Sequence, residues 1–141
     1  MISNEDRYLG VWVLLPELSL YVHGPQPTHG IYQIMASEAR VQLRIVWQMQ
    51  ADGPEQSTGF GGPADGTRQP LPQGGAGPDS FSITRVDAAT LDSAAWRGDQ
   101  MVAYARRVVS ADGSLMSVVQ EGLLPDGQRF RNFQVYRRQA E

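Results

Sequence analysis

The side chains that could do chemistry are few, and their spacing suits little of it. His23 and His29 are the two histidines, and they flank Gly24-Pro25-Gln26-Pro27. A zinc or haem site wants further ligands, yet the chain has no cysteine and no carboxylate cluster beside that loop. Ser19 stands four residues before His23, but no Asp is placed to orient the imidazole and no oxyanion signature accompanies it. Ser57-Thr58-Gly59-Phe60-Gly61-Gly62 is Gly-rich, yet it lacks the Lys and the following helix of a phosphate-binding loop. No catalytic residue, metal or cofactor is therefore expected, and ligand binding ranks above catalysis. All 12 basic residues are Arg, whose planar fork grips carboxylates bidentately. On the last strand Arg129, Arg131 and Phe133 share one face, opposite Asn132, Gln134 and Tyr136. Solvent is the default home of Arg129 and Arg131, because an unpaired buried charge is costly. Arg106, on the face of Tyr104, is the other candidate for an inward fork. The lack of Lys itself fits codon bias, since Ala, Gly and Pro are also plentiful.

The elements that must position these groups read as strands. Asp-Gly pairs fall at 52–53, 65–66, 112–113 and 126–127, and Gly98-Asp99 adds a fifth turn. Asp and Gly both tolerate positive φ, so type I′ hairpin turns are expected there. Between the turns lie short runs of β-branched and aromatic residues, the mark of an all-β sandwich or barrel. The clearest run is Val41–Met49. Val41, Leu43, Ile45, Trp47 and Met49 share one face, and Gln42, Arg44, Gln48 and Gln50 the other, with Val46 the exception. Further strands are expected near Tyr8–Leu14, Gly30–Ala36, Phe81–Val86, Thr90–Trp96, Met101–Ser110, Ser114–Gly122 and Arg129–Arg138. Thr67–Leu71 reads as a short edge strand, because Pro70 removes a ladder donor. Glu17–Val22 offers at most one helical turn after Pro16. The last three long strands form a meander with short connections, so these neighbours should run antiparallel.

The 141 residues fit a single domain over 1–141, with a Gly/Pro-rich segment at 51–79. That segment reads as an insertion or a flap, with brief strands around Phe60 and Leu71. The acidic balance, net −3, and the lack of a basic stripe argue against nucleic acid. No run approaches the ~18 apolar residues of a membrane helix, so no membrane partner is expected. The polar, acidic start reads as cytoplasmic, and a chain that had shed a secretion signal would read alike.

Gly10-Val11-Trp12 on the first strand and Tyr136-Arg137-Arg138 on the last resemble the lipocalin-like, or calycin, barrels. The resemblance extends to small bacterial lipocalin-like proteins of unassigned function. It runs through Trp12-x-Leu14, Ser19-x-Tyr21, Gly24-Pro25, Asp65-Gly66-Thr67-Arg68 with Pro70, and Ile83-x-Arg85-Val86-Asp87. It ends with Arg106-x-Val108-x-Ser110-x-Asp112-Gly113 and Val135-Tyr136-x-Arg138. The resemblance implies an antiparallel up-and-down barrel of eight to ten strands. It also implies that Trp12 packs at the closed end under a C-terminal Arg. The Arg-x-Tyr of the small fatty-acid-binding barrels is absent, since Gln134 precedes Tyr136 at that spacing.

A barrel interior is either packed or holds one small ligand, and the sequence leaves both open. The expected ligand is a small apolar molecule, with Trp12, Leu43, Ile45, Trp47, Ala103, Tyr104, Ala105 and Arg106 as candidate binding residues. Tyr104 and Arg106 lie on the opposite face from Ala103 and Ala105, so at most one set points inward. The alternatives are a small barrel enzyme of isomerase or hydrolase type, or a structural, partner-binding domain with a filled core. Apolar residues on both faces, as at Val108-Val109 and Val118-Val119, lead to the expectation of a homodimer.

Overall fold

Alternation of apolar and polar residues makes these strands one-sided, and one-sided strands bury that side by curling. The computed structural model describes residues 5–22, 24–71 and 78–139. Ten strands follow in order: β1 Gly10–Leu14, β2 His29–Ser37, β3 Arg40–Gln48, β4 Glu55–Pro63, β5 Gln69–Pro70, β6 Ser80–Asp87, β7 Thr90–Arg97, β8 Gln100–Val109, β9 Leu115–Leu123 and β10 Arg129–Arg138. All pair antiparallel in one sheet of order β4-β3-β2-β1-β10-β9-β8-β7-β6-β5. The fold is thus all-β, an antiparallel up-and-down barrel that is nearly closed. The remaining seam runs between β4 and β6. Phe60 and Phe81 meet edge to face across it at 5.5 Å. Just beyond β4, Arg85 N–H donates to Ala64 O and Gly66 N–H to Ile83 O.

Two expectations need correction. The Gly/Pro-rich segment contains a nine-residue strand, β4, in full register with β3. Two of its glycines lie close against the backbone of β3: a Cβ at Gly61 would stand 3.0 Å from Val41 O, and one at Gly59 would stand 3.2 Å from Leu43 O. The Asp-Gly turns are not type I′, because among the described non-glycine residues only Glu38 has positive φ. At Gly66, Gly113 and Gly127 the glycine alone takes positive φ. The Asp instead accepts from the N–H two residues on, at Asp65, Asp112 and Asp126. The helical turn after Pro16 is a 3₁₀ turn confined to Pro16–Leu18. β5 does lie at a sheet edge with Pro70 in it, where a missing donor does least harm.

The closed end is built around Trp12. Its ring is wholly buried and its Nε1–H donates to Tyr8 O at 2.9 Å. Arg138 lies over the ring, 4.3 Å from its centre. The Arg138 guanidinium also donates to Leu9 O and Gly113 O at 2.9 Å each, and to Arg7 O. One side chain thereby ties the leading strap to a distant turn. Asp6, buried beside this strap, accepts from two of the Arg85 nitrogens, Nε at 2.8 Å and a terminal nitrogen at 3.1 Å, and from the Tyr8 hydroxyl at 2.7 Å. Burial first, and then the bond to Asp6, pushes the Tyr8 phenol above its ordinary range, so it stays a donor.

Candidate ligand-binding site

The interior changes character along the barrel axis. Towards the closed end Trp12, Ile34, Leu43, Val41, Ile83, Leu91 and Met116 are all but fully buried and packed together. Towards the other end lies a cavity of about 530 Å³, within the range of small-molecule pockets. It exists because β7 and β8 turn small side chains inward. Ser93, Ala95, Ala103 and Ala105 line it, facing Ile45 and Trp47 of β3 and Thr58 and Phe60 of β4. Gly30 keeps β2 close to Leu14, where a Cβ would stand 3.2 Å from the Leu14 Cβ.

The expected site residues divide accordingly. Ile45, Trp47, Ala103, Ala105 and Tyr104 line the cavity. Trp12 and Leu43 do not, because both lie in the packed half. Arg106 points away from the interior. Its side chain is 46% exposed and pairs at 2.8 Å with Asp92, which also receives the Tyr104 hydroxyl at 2.9 Å. Tyr104 thus touches the cavity while its hydroxyl serves the outer face. The inward Arg is the next residue, Arg107, which shares strand parity with Ala103 and Ala105 and is 2% exposed. Arg129 and Arg131 face out; Arg131 pairs with Glu121 at 2.7 Å.

Arg107 forms the cavity floor with a ring of polar groups that the sequence did not single out as a site. Its Nε donates to the Tyr32 hydroxyl at 2.6 Å, one terminal nitrogen to Ser93 Oγ at 3.0 Å, and the other to Leu91 O at 3.4 Å. Tyr32 and Tyr136 meet edge to face at 5.5 Å. The Tyr136 hydroxyl donates to Gln134 Oε1, whose amide donates to the Tyr21 hydroxyl at 2.7 Å and to Gln120 Oε1 at 3.2 Å. Burial raises the phenols of Tyr21 and Tyr136, so both stay neutral hydrogen-bonding groups at physiological pH. The face shared by Gln134 and Tyr136 was legible, and one clue to Arg107 was present too. If Ala103 and Ala105 point inward, so must residue 107.

His29 is exposed and its Nδ1 lies 3.0 Å from Thr28 Oγ1, on the strand edge. His23 lies outside the described residues, as do residues 72–77 of the Gly/Pro-rich segment. Among the described residues no three metal-ligating side chains come together. On the outer face Val108 is exposed, whereas Val109 and Val118 turn into the core.

No family model matches the sequence, and no curated protein matches it. Among solved structures the chain is similar to lobster apocrustacyanin A1, with a TM-score of 0.47 and 13% sequence identity. The match covers 98% of this chain, which spans 64% of that one.

Proposed function

We propose that the protein binds a small apolar molecule in the open half of its barrel. The observation that carries this reading is the 530 Å³ cavity, lined by Ile45, Trp47, Phe60, Phe81 and the alanines of β7 and β8. Here small residues create the space at four neighbouring inward positions, two on each of two strands. Burying ~300 Å² of ligand surface would contribute about 7 kcal/mol at 25 cal/mol per Å². Immobilisation and ordering reduce this to an affinity on the order of micromolar.

The chemistry of the lining favours binding over catalysis. Among the described residues that line the cavity there is no carboxylate and no imidazole. General acid–base chemistry needs a group that titrates near neutral pH, and the tyrosines of the floor are pushed the other way. Titration with the neutral, polarity-sensitive dye N-phenyl-1-naphthylamine tests the reading. The dye should saturate at one equivalent with affinity on the order of micromolar, with energy transfer from Trp47. A signal that rises without saturation would overturn it.

A further inference from the structure

We infer that the ligand is an acid whose carboxylate docks on Arg107, with its apolar body pointing towards Trp47. This rests on the reading of the cavity as a ligand site and adds the chemistry of the ligand's head. Arg107 lines the cavity, is 2% exposed, and has no carboxylate within ion-pair distance among the described residues. Its three interior partners are a phenol, a serine hydroxyl and a peptide carbonyl, all neutral. A buried guanidinium without an anion is a costly arrangement. Arg85, Arg106 and Arg131 do form ion pairs, each with a more exposed side chain.

The donor count points the same way. A guanidinium has five N–H groups, and three of those of Arg107 are engaged. Each terminal nitrogen therefore keeps one hydrogen, and the two terminal nitrogens are spaced like a carboxylate's two oxygens. The Tyr32 hydroxyl accepts from Nε and keeps its own hydrogen to give. The Tyr21 hydroxyl likewise accepts from Gln134. The floor thus offers unspent donors and no anion, while the walls above it are apolar. A monocarboxylate with a hydrocarbon body complements both parts.

The site also explains why β8 inserts a charge where its neighbours insert apolar groups. Ser93 and Tyr32 hold the fork from two sides, so its plane is fixed before a ligand arrives. Pre-organisation of this kind spares the ligand the ordering cost of a long side chain.

The test is competition of decanoic acid and decan-1-ol against N-phenyl-1-naphthylamine, in the parent protein and in Arg107→Met. The acid should bind the parent roughly tenfold to a hundredfold more tightly than the alcohol, the range of a charge-assisted bond. In Arg107→Met that ratio should collapse towards one. Equal binding of acid and alcohol by the parent would overturn the inference and leave the apolar cavity standing. Failure of dye, acid and alcohol alike would overturn both readings. A preference for the acid that survives in Arg107→Met would remove Arg107 from the role. Should Arg107→Met not fold, Arg107→Lys keeps the charge without the fork. Its ratio should fall between the parent's and one, and an unchanged ratio would count against the docking geometry.

Discussion

On β8 the inward row runs Ala103, Ala105, Arg107, Val109, and the barrel changes from cavity to core between its last two members. On β3 the same boundary falls between Ile45 and Leu43, and on β2 between Tyr32 and Ile34. The two halves share strands, register and twist. They differ in side-chain volume and polarity. The closed half carries Trp, Leu, Ile, Val and Met in contact, and is clasped from outside by Arg138. The open half carries Ala, Ser and Gly on one wall and a hydrogen-bonded floor. Barrel geometry therefore does not decide between a filled and a hollow interior. The inward residues of β7 and β8 decide it, and they do so over only part of the length.

The largest expected effect lies in the closed half. Trp12→Ala removes a wholly buried indole, its bond to Tyr8 O and the surface on which Arg138 lies. It should lower stability by about 3–5 kcal/mol, read as a shift of the urea midpoint. A near-parental midpoint would break the distinction between halves. Next, Leu91→Ala should cost about 2–5 kcal/mol because it opens an enclosed void. Ile45→Ala, on the cavity wall, should cost about 1–2 kcal/mol, since space already adjoins it. Equal losses at the two positions would show that the cavity collapses in solution. Arg138→Met should follow at about 1–3 kcal/mol, from the lost stacking and the carbonyls left unpaired.

How much of this was legible follows from which forces are local. The strand β3 was clear because its alternation is written into consecutive residues. The pairing of Trp12 with a C-terminal Arg came from the resemblance, and Arg138 fulfils it. Of β4 only a brief strand around Phe60 was legible, because Gly59, Gly61 and Gly62 read as turn formers. What crowds Gly59 and Gly61 is the backbone of β3, at Leu43 O and Val41 O, which only the pairing of the strands brings near. The choice between Arg106 and Arg107 was equally hidden. Both faces of β8 carry an Arg, and only closure of the barrel shows which one meets Tyr32 and Ser93. Cavity and core could not be separated for the same reason. Leu43 and Ile45 look alike in sequence, and only the partners across the barrel distinguish them.

The smallest expected effect lies at the closed-end turn that joins β8 to β9. There the Ser114 N–H, and then the Ser114 and Ser110 hydroxyls, hold the Asp112 carboxyl down at about 2. Its folded value lies below the ordinary ~3.9 of the unfolded chain. The unfolded state therefore binds the proton first as pH falls. The contribution of the turn is complete above about pH 4 and is lost on the way to about pH 2. The difference in thermal midpoint between the parent and Asp112→Asn should shrink over that window. A difference independent of pH would show that the carboxylate charge has no part in the turn.

The central claim is that the open half is a binding cavity and not a slack piece of core. Ala103→Leu and Ala105→Leu each add three carbons to the cavity wall, where the space is already empty. N-phenyl-1-naphthylamine titrations of the two variants, run beside urea unfolding, test the claim most directly. Unfolding should stay close to the parent's, within about 1 kcal/mol, while saturable dye binding is lost. Leucine variants that fold like the parent and still bind the dye with the parent's affinity would contradict it.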